Sequence, residues 1–156
     1  MNDAVLEFQL ADPDATAALG RRMAATRPSR AVVYLRGDLG SGKSTLARAM
    51  LRALGVSGTI RSPTYTLVER YPLADGGEAW HLDLYRIADA GELEYLGLDA
   101  DDVALWLVEW AERGAGALPR ADLVVELAVA GSGRRAHLVP ASATGVHWLA
   151  ALEPER

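Results

Sequence analysis

One short turn constrains this chain more than any other feature. Residues Gly37-Asp38-Leu39-Gly40-Ser41-Gly42-Lys43-Ser44 fit the pattern G-x-x-x-x-G-K-[ST] in full. The run before it, Ala31-Val32-Val33-Tyr34-Leu35, is apolar and β-rich, the kind of segment buried on both faces of a sheet. The stretch after it, Thr45–Leu54, reads as a helix that Gly55 ends. A glycine-rich loop in that setting turns its backbone N–H groups inward around phosphate oxygens, and the following helix aims its positive end at the same oxygens. Lys43 then serves as a mobile point charge for the β- and γ-phosphates, and the Ser44 hydroxyl is placed for Mg²⁺. Of 16 basic residues Lys43 is the single lysine, all the others being arginine. A planar guanidinium fork does not replace a compact ammonium on a flexible stem, so a site that needs the ammonium resists the exchange. The loop residues Asp38, Leu39, Gly40, Ser41, Gly42, Lys43, Ser44 and Thr45 are therefore expected to contact a nucleotide.

The remaining segments suggest how the turn is framed. Val5–Leu10 alternates as a strand, and Asp12-Pro13 supplies a cap and a first-turn proline for a helix through about Ala25. Strand signals return at Tyr65–Tyr71 and Ala79–Leu84 around the turn Asp75-Gly76-Gly77, which predicts a hairpin. A helix with an acidic start at Asp89 and Glu92 is expected to run to Tyr95, its Glu92–Leu98 face being either a docking surface or a solvated side. Val103–Trp110 is a second continuous apolar run. Beyond the loop Gly114–Pro119 come strands at Leu123–Val129 and Arg135–Val139 about Gly131-Ser132-Gly133, and a short helix near Val146–Leu152. Alternating helices and strands early, with antiparallel-looking pairs later, predict a three-layer α/β fold of the P-loop NTPase type on a mixed parallel and antiparallel sheet.

A phosphate-binding loop also needs a carboxylate at a neighbouring strand end to hold Mg²⁺ directly or through water. Ala104-Leu105-Trp106-Leu107-Val108-Glu109 is an apolar strand ending in an acid, the Walker-B layout with Glu in place of Asp. Within His81-Leu82-Asp83-Leu84-Tyr85-Arg86, Asp83 sits in an apolar stretch where an unpaired charge is costly. The plain alternatives are a structural Asp83–Arg86 pair and an exposed strand terminus at Glu109. The expectation is that Glu109 contacts the metal while Asp83 orients water or the metal's hydration shell. The hydroxyl-rich loop Arg61-Ser62-Pro63-Thr64-Tyr65-Thr66 reads equally as a γ-phosphate sensor through Ser62 and Thr64, or as a Ser-Pro turn.

Guanine-specific relatives usually carry Asn-Lys-x-Asp, but the only asparagine is Asn2 and the only lysine is already in the loop. The only glutamine, Gln9, lies upstream of the loop, so a water-positioning glutamine is missing too. That leaves an ATPase driving a partner, or a small-molecule or nucleoside kinase with Arg113 and Arg120 flanking a short lid.

Four blocks together, Gly37–Thr45, Ser62-Pro63-Thr64-Tyr65-Thr66-Leu67-Val68, His81–Arg86 and Leu107-Val108-Glu109-Trp110, resemble in order and spacing the signature of the TsaE (YjeE) family. The resemblance runs from about Asp12 to Arg134. It implies ATP on the loop, Mg²⁺ between Ser44 and Glu109, and Asp83 as a functional residue beside the γ-phosphate, so that Lys43, Asp83 and Glu109 carry the chemistry. It also implies that Pro13 and Arg134 lie near the nucleotide. Relatives have weak ATPase activity alone. They act with two partner proteins, of TsaB and TsaD type, that transfer threonylcarbamoyl to N6 of A37 in tRNAs reading ANN codons, hydrolysis resetting the complex. Many relatives have Thr where this chain has Ser44, and Ala where it has Ser41; Ser41 is expected to add an exposed hydroxyl to the cradle.

Composition bounds the rest. A chain of 156 residues, half of them hydrophobic and 24% charged, predicts a single nucleotide-binding domain over residues 1–156 with a real core. It has no cysteines, no apolar run near the roughly 20 residues of a membrane span, and a start at Met1-Asn2-Asp3-Ala4 unlike a signal peptide. A cytoplasmic protein with no membrane contact is the expectation. A net charge of −5 argues against this chain gripping tRNA by itself, which fits access through partners. Of the tryptophans Trp80, Trp106, Trp110 and Trp148, most are expected in the core, with Trp110 at the rim of the site.

Overall fold

Asp12 shows how local sequence starts the architecture. Its carboxylate accepts the Ala15 N–H at 2.8 Å and Pro13 takes the first helical position, so the chain turns sharply from strand into helix there. The structure, a computed structural model, describes residues 5–96 and 103–153. In chain order the elements are β1 (Leu6–Leu10), α1 (Pro13–Thr26), β2 (Ala31–Arg36), α2 (Lys43–Ala53), β3 (Val68–Pro72), β4 (Glu78–Asp83), β5 (Val103–Glu109), β6 (Leu123–Ala130), β7 (Gly133–Pro140) and α3 (Ala143–Leu152). Short 3₁₀ helices occupy Ala90–Leu96 and Ala111–Gly114.

The seven strands form one sheet in the order β1-β7-β6-β2-β5-β4-β3. Its centre is parallel: β2 pairs with both β5 and β6, and β4 with β5. Its wings are antiparallel, β1 on β7 on β6 at one side and β3 on β4 at the other. The mixed sheet expected from the sequence is present. The parallel pairing also brings the C-terminal ends of β2, β4 and β5 side by side, with Leu35 opposite Glu109 and Asp83 opposite Glu109. Ligands of open α/β sheets gather at such strand ends.

The two faces are covered differently. On one, Leu19 and Met23 of α1, Leu46, Met50 and Leu51 of α2, and Trp148, Leu149 and Leu152 of α3 pack on Val33, Leu35, Leu105, Leu107, Val125 and Leu138. On the other, Trp80, Leu82, Trp106 and Val108 meet Leu84, Ile87, Leu93 and Ala111, so that layer is built from 3₁₀ turns and connecting chain rather than α-helices. Helix α1 lies very close to α2. A Cβ added at Gly20 would stand 2.8 Å from the Ala49 Cβ and 2.9 Å from the Leu46 carbonyl oxygen, distances that only glycine permits.

Some boundaries differ from the sequence expectation. The strand expected from Tyr65 begins at Val68, because Pro63–Leu67 closes a turn through Leu67 N–H to Pro63 O at 2.9 Å and Leu67 takes φ 73°. The expected helix after Asp89 is a 3₁₀ helix over Ala90–Leu96. The proposed docking face Glu92–Leu98 runs beyond the described residues. The last helix starts earlier than expected, at Ala143, because Ser142 caps it by accepting the Gly145 N–H at 3.0 Å. Among the described residues, no helix is long and apolar enough to cross a membrane.

Candidate functional site

The loop between β2 and α2 owes its shape to three glycines. Gly37 has φ 150°, and a Cβ there would meet the Leu127 carbonyl oxygen and the Ser41 Oγ, each at 2.5 Å. Gly40 and Gly42 have φ 83° and 108°. Gly42 is the N-cap residue of α2, and no side chain caps that end. The first-turn amides of α2 have no intrahelical partner, which leaves donors and a positive dipole end for an anion.

A cavity of about 810 Å³ opens over this helix end, a size within the usual range for pockets that hold ligands. Leu39, Gly40, Gly42, Lys43, Ser44 and Thr45 line its floor. Two of the loop residues expected to face the nucleotide do not line it. Asp38 lies on the far side of the loop, in a smaller cavity of about 380 Å³ with Arg36 and Glu112. Ser41 is buried, its N–H bonded to Asp38 O at 3.0 Å and its hydroxyl packed against Gly37. The exposed hydroxyl expected at Ser41 is thus corrected: the turn that frees the neighbouring amides folds this side chain inward.

The charged centre is a three-residue cluster. Lys43 Nζ lies 3.4 Å from Glu109 Oε1, and His81 Nε2 lies 2.8 Å from Glu109 Oε2. All three side chains are largely buried. Burial alone would push the Glu109 pKa up, but the hydrogen bond and charge of His81, together with those of Lys43, outweigh it and hold the carboxyl below its ordinary range. Glu109 is therefore an ionised acid at a strand end and not a solvent-exposed terminus.

Asp83 stands beside it on β4. Its Oδ1 accepts the Tyr85 N–H at 3.0 Å, and Thr64 Oγ1 approaches Oδ2 at 3.5 Å. Ser62 Oγ is 2.8 Å from Thr64 Oγ1, so the hydroxyl loop reaches the same carboxylate. The alternative pairing of Asp83 with Arg86 is not formed: the Arg86 guanidinium lies 4.4 Å over the Tyr65 ring. Ser62, Thr64, Asp83 and Glu109 all line the large cavity.

One further wall comes from the β1–β7 side of the sheet. Asp12, Pro13 and Thr16 from the start of α1 face Ser132, Gly133 and Arg134 from the β6–β7 turn. Arg134 donates from Nε to the Gly40 carbonyl at 3.1 Å, tying that turn to the glycine-rich loop. Across the mouth, Trp110 is partly exposed and packs on Tyr85 with ring centroids 4.9 Å apart. Trp80, Trp106 and Trp148 are buried. Arg113 lies over both rim rings, at 5.3 Å from Tyr85 and 5.7 Å from Trp110, and donates to Ile87 O at 3.4 Å.

Sequence reasoning missed His81, Thr16, Tyr85 and Ser132. A signal existed for two of them: on a strand, residues two apart share a face, so His81 belongs with Asp83, and Tyr85 follows at the same spacing.

The donor set suits a hard cation bound together with phosphate. Ser44, Asp83 and Glu109 offer oxygens, and Mg²⁺ typically takes one or two protein ligands plus phosphate oxygens rather than a full protein cage. Among the described residues, no group of three or more His, Asp or Glu forms such a cage.

Three comparisons bear on this site. The family model described as threonylcarbamoyl adenosine biosynthesis protein TsaE matches residues 10–136. The tRNA threonylcarbamoyladenosine biosynthesis protein TsaE of Haemophilus influenzae is 44% identical over 124 residues, covering 77% of each chain. The protein of the same name from Bacillus subtilis is 35% identical over 133 residues, covering 83% of this chain and 82% of its own. Among solved structures, the crystal structure of Bacillus subtilis YdiB superposes with a TM-score of 0.80 at 26% identity, covering 97% of this chain and 96% of the other.

Proposed function

The chain belongs to the TsaE family, and from that premise we propose that it serves threonylcarbamoyladenosine formation in tRNA as a Mg²⁺-dependent ATPase acting with partner proteins. The observation that carries this reading is the placement of Lys43: its ammonium sits at the uncapped start of α2, inside a cavity roomy enough for a nucleotide, with an ionised carboxylate 3.4 Å away.

In this reading the open amides after Gly42 hold the triphosphate, and Lys43 leaves Glu109 to neutralise the β- and γ-phosphates. The Ser44 hydroxyl and the Glu109 carboxylate would hold Mg²⁺, which would supply charge neutralisation at the phosphate oxygens. Asp83 has one oxygen fixed by the Tyr85 amide and the other beside Thr64, so it can orient an attacking water without swinging away. Thr64 and Ser62 report on the terminal phosphate, and Pro13 and Arg134 frame the far end of the nucleotide. The domain works as one nucleotide-binding unit in the cytoplasm. It reaches tRNA through partners of TsaB and TsaD type, in keeping with its net charge of −5.

The test is reconstitution of the chain with candidate partner proteins, tRNA and γ-labelled ATP. Free labelled phosphate that rises with the partners, together with modified adenosine at A37, is the expected result. Label that leaves on an acceptor instead of water would replace this reading with the kinase one.

A further inference from the structure

Glu109 has two oxygens and, in this structure, two cationic or donor partners, one for each. Lys43 takes Oε1 at 3.4 Å, and His81 takes Oε2 at 2.8 Å. A carboxylate facing an ammonium group is ionised and can only accept, so His81 Nε2 is the donor. His81 is 3% exposed, and its Nδ1 has no hydrogen-bond partner among the described residues, so the contact with Glu109 is the one polar tie this ring makes to them. The imidazole comes from β4, where it stands opposite Leu107, and reaches Glu109 two residues farther along β5.

We propose that His81 is a positioning residue for the carboxylate: by holding Oε2 it leaves Oε1 alone to face first Lys43 and then the nucleotide-bound cation. This rests on the Mg²⁺–ATP reading above. The reason is one of direction. A donor on Oε2 prevents the carboxylate from rotating to offer both oxygens at once, which fixes one ligand atom and its direction. Hydrogen bonds to metal-ligating carboxylates commonly set metal affinity in this way.

The experiment measures Mn²⁺ binding to the ATP complex by electron paramagnetic resonance, alongside metal-free ATP binding by calorimetry, in the full chain. His81→Leu removes the donor, whereas His81→Gln places an amide nitrogen near the position of Nε2. The expected result is a roughly 10- to 100-fold loss of Mn²⁺ affinity in His81→Leu, recovery of most of it in His81→Gln, and metal-free ATP binding within about twofold of the parent in both. Equal Mn²⁺ affinities in parent and His81→Leu would overturn the proposal. So would a parallel loss of metal-free and metal-loaded binding, the mark of a merely structural role. If leucine prevents folding, His81→Asn, whose amide is too short to reach Oε2, replaces it. Asparagine and glutamine variants of equal Mn²⁺ affinity then refute the idea. A parent chain that binds no Mn²⁺–ATP at all refutes the nucleotide reading itself, an outcome distinct from the others.

Discussion

Replacing Glu109 by glutamine keeps the shape of the side chain and removes its charge, and the structure predicts that this single change pushes nucleotide binding in opposite directions with and without metal. At the 3.4 Å separation of Lys43 Nζ and Glu109 Oε1, an effective dielectric of about 20 gives a Coulomb attraction of about 5 kcal/mol. In the proposed reading ATP must break that pair to recruit Lys43, and most of the loss is returned by the new ammonium–phosphate contact. The carboxylate also repels incoming phosphates. If about a quarter of the attraction remains uncompensated, Glu109→Gln gains about 1.2 kcal/mol, or roughly eightfold, in metal-free ATP affinity. In excess Mg²⁺ the same variant should gain nothing from the metal, since a neutral amide oxygen is a poor replacement for a carboxylate ligand. Calorimetric titration in chelator and then in excess Mg²⁺ reads both effects. Metal-free affinity that is unchanged or weaker, together with an intact Mg²⁺ enhancement, would show that Glu109 neither restrains Lys43 nor binds the cation.

Other outcomes follow from the same geometry. Lys43→Ala should weaken ATP binding by about 100-fold or more, because the chain has no second lysine to take its place; calorimetry checks this. Asp83→Asn should retain ATP binding while lowering turnover by about 100-fold or more, the usual scale for losing a proton-handling group, as a phosphate-release assay would reveal. Gly37→Ala should cost about 2–3 kcal/mol in chemical denaturation, since its Cβ would meet the rigid Leu127 carbonyl oxygen at 2.5 Å. For pH, the native Glu109 carboxyl is held below its ordinary range, so its contribution to stability is full above the unfolded value of about 4.3 and is lost as pH falls through the lowered native one. The melting-temperature advantage of the parent over Glu109→Gln should therefore shrink on acidification from pH 5 and hold steady from pH 5 to 7.

The segment from Ala31 to Ala53 was legible because its determinants are local: an apolar strand, glycines that permit the turn, and a helix with its cap position left open. Asp12 and Pro13 were legible for the same reason. Glu109 and Asp83 stood out as acids in apolar strands, and parallel pairing sets them opposite each other. What the sequence could not display was the sheet order. Placing β5 between β2 and β4 depends on contacts between segments far apart in the chain, and only that order carries His81 to Glu109. His81 on its own looked like any histidine in an apolar strand. Ser41 misled because exposure in a tight loop depends on which way the backbone turns, and here the hydroxyl is folded against Gly37. The start of β3 was read too early because Tyr65 and Thr66 favour strands, while the Pro63–Leu67 turn overrides them.

The bare Cα of Gly20 has a mechanical meaning for the cavity. Because α1 and α2 touch there almost backbone to backbone, the wall that begins at Pro13 and the floor that begins at Lys43 form one closely packed jaw of the cavity. The facing jaw is built differently, its Tyr85, Trp110 and Pro63–Leu67 turn held by ring contacts and short connecting chain. A bulky residue at position 20 would pry the packed jaw apart and blunt the grip on phosphate from a distance, with no atom of the binding loop changed.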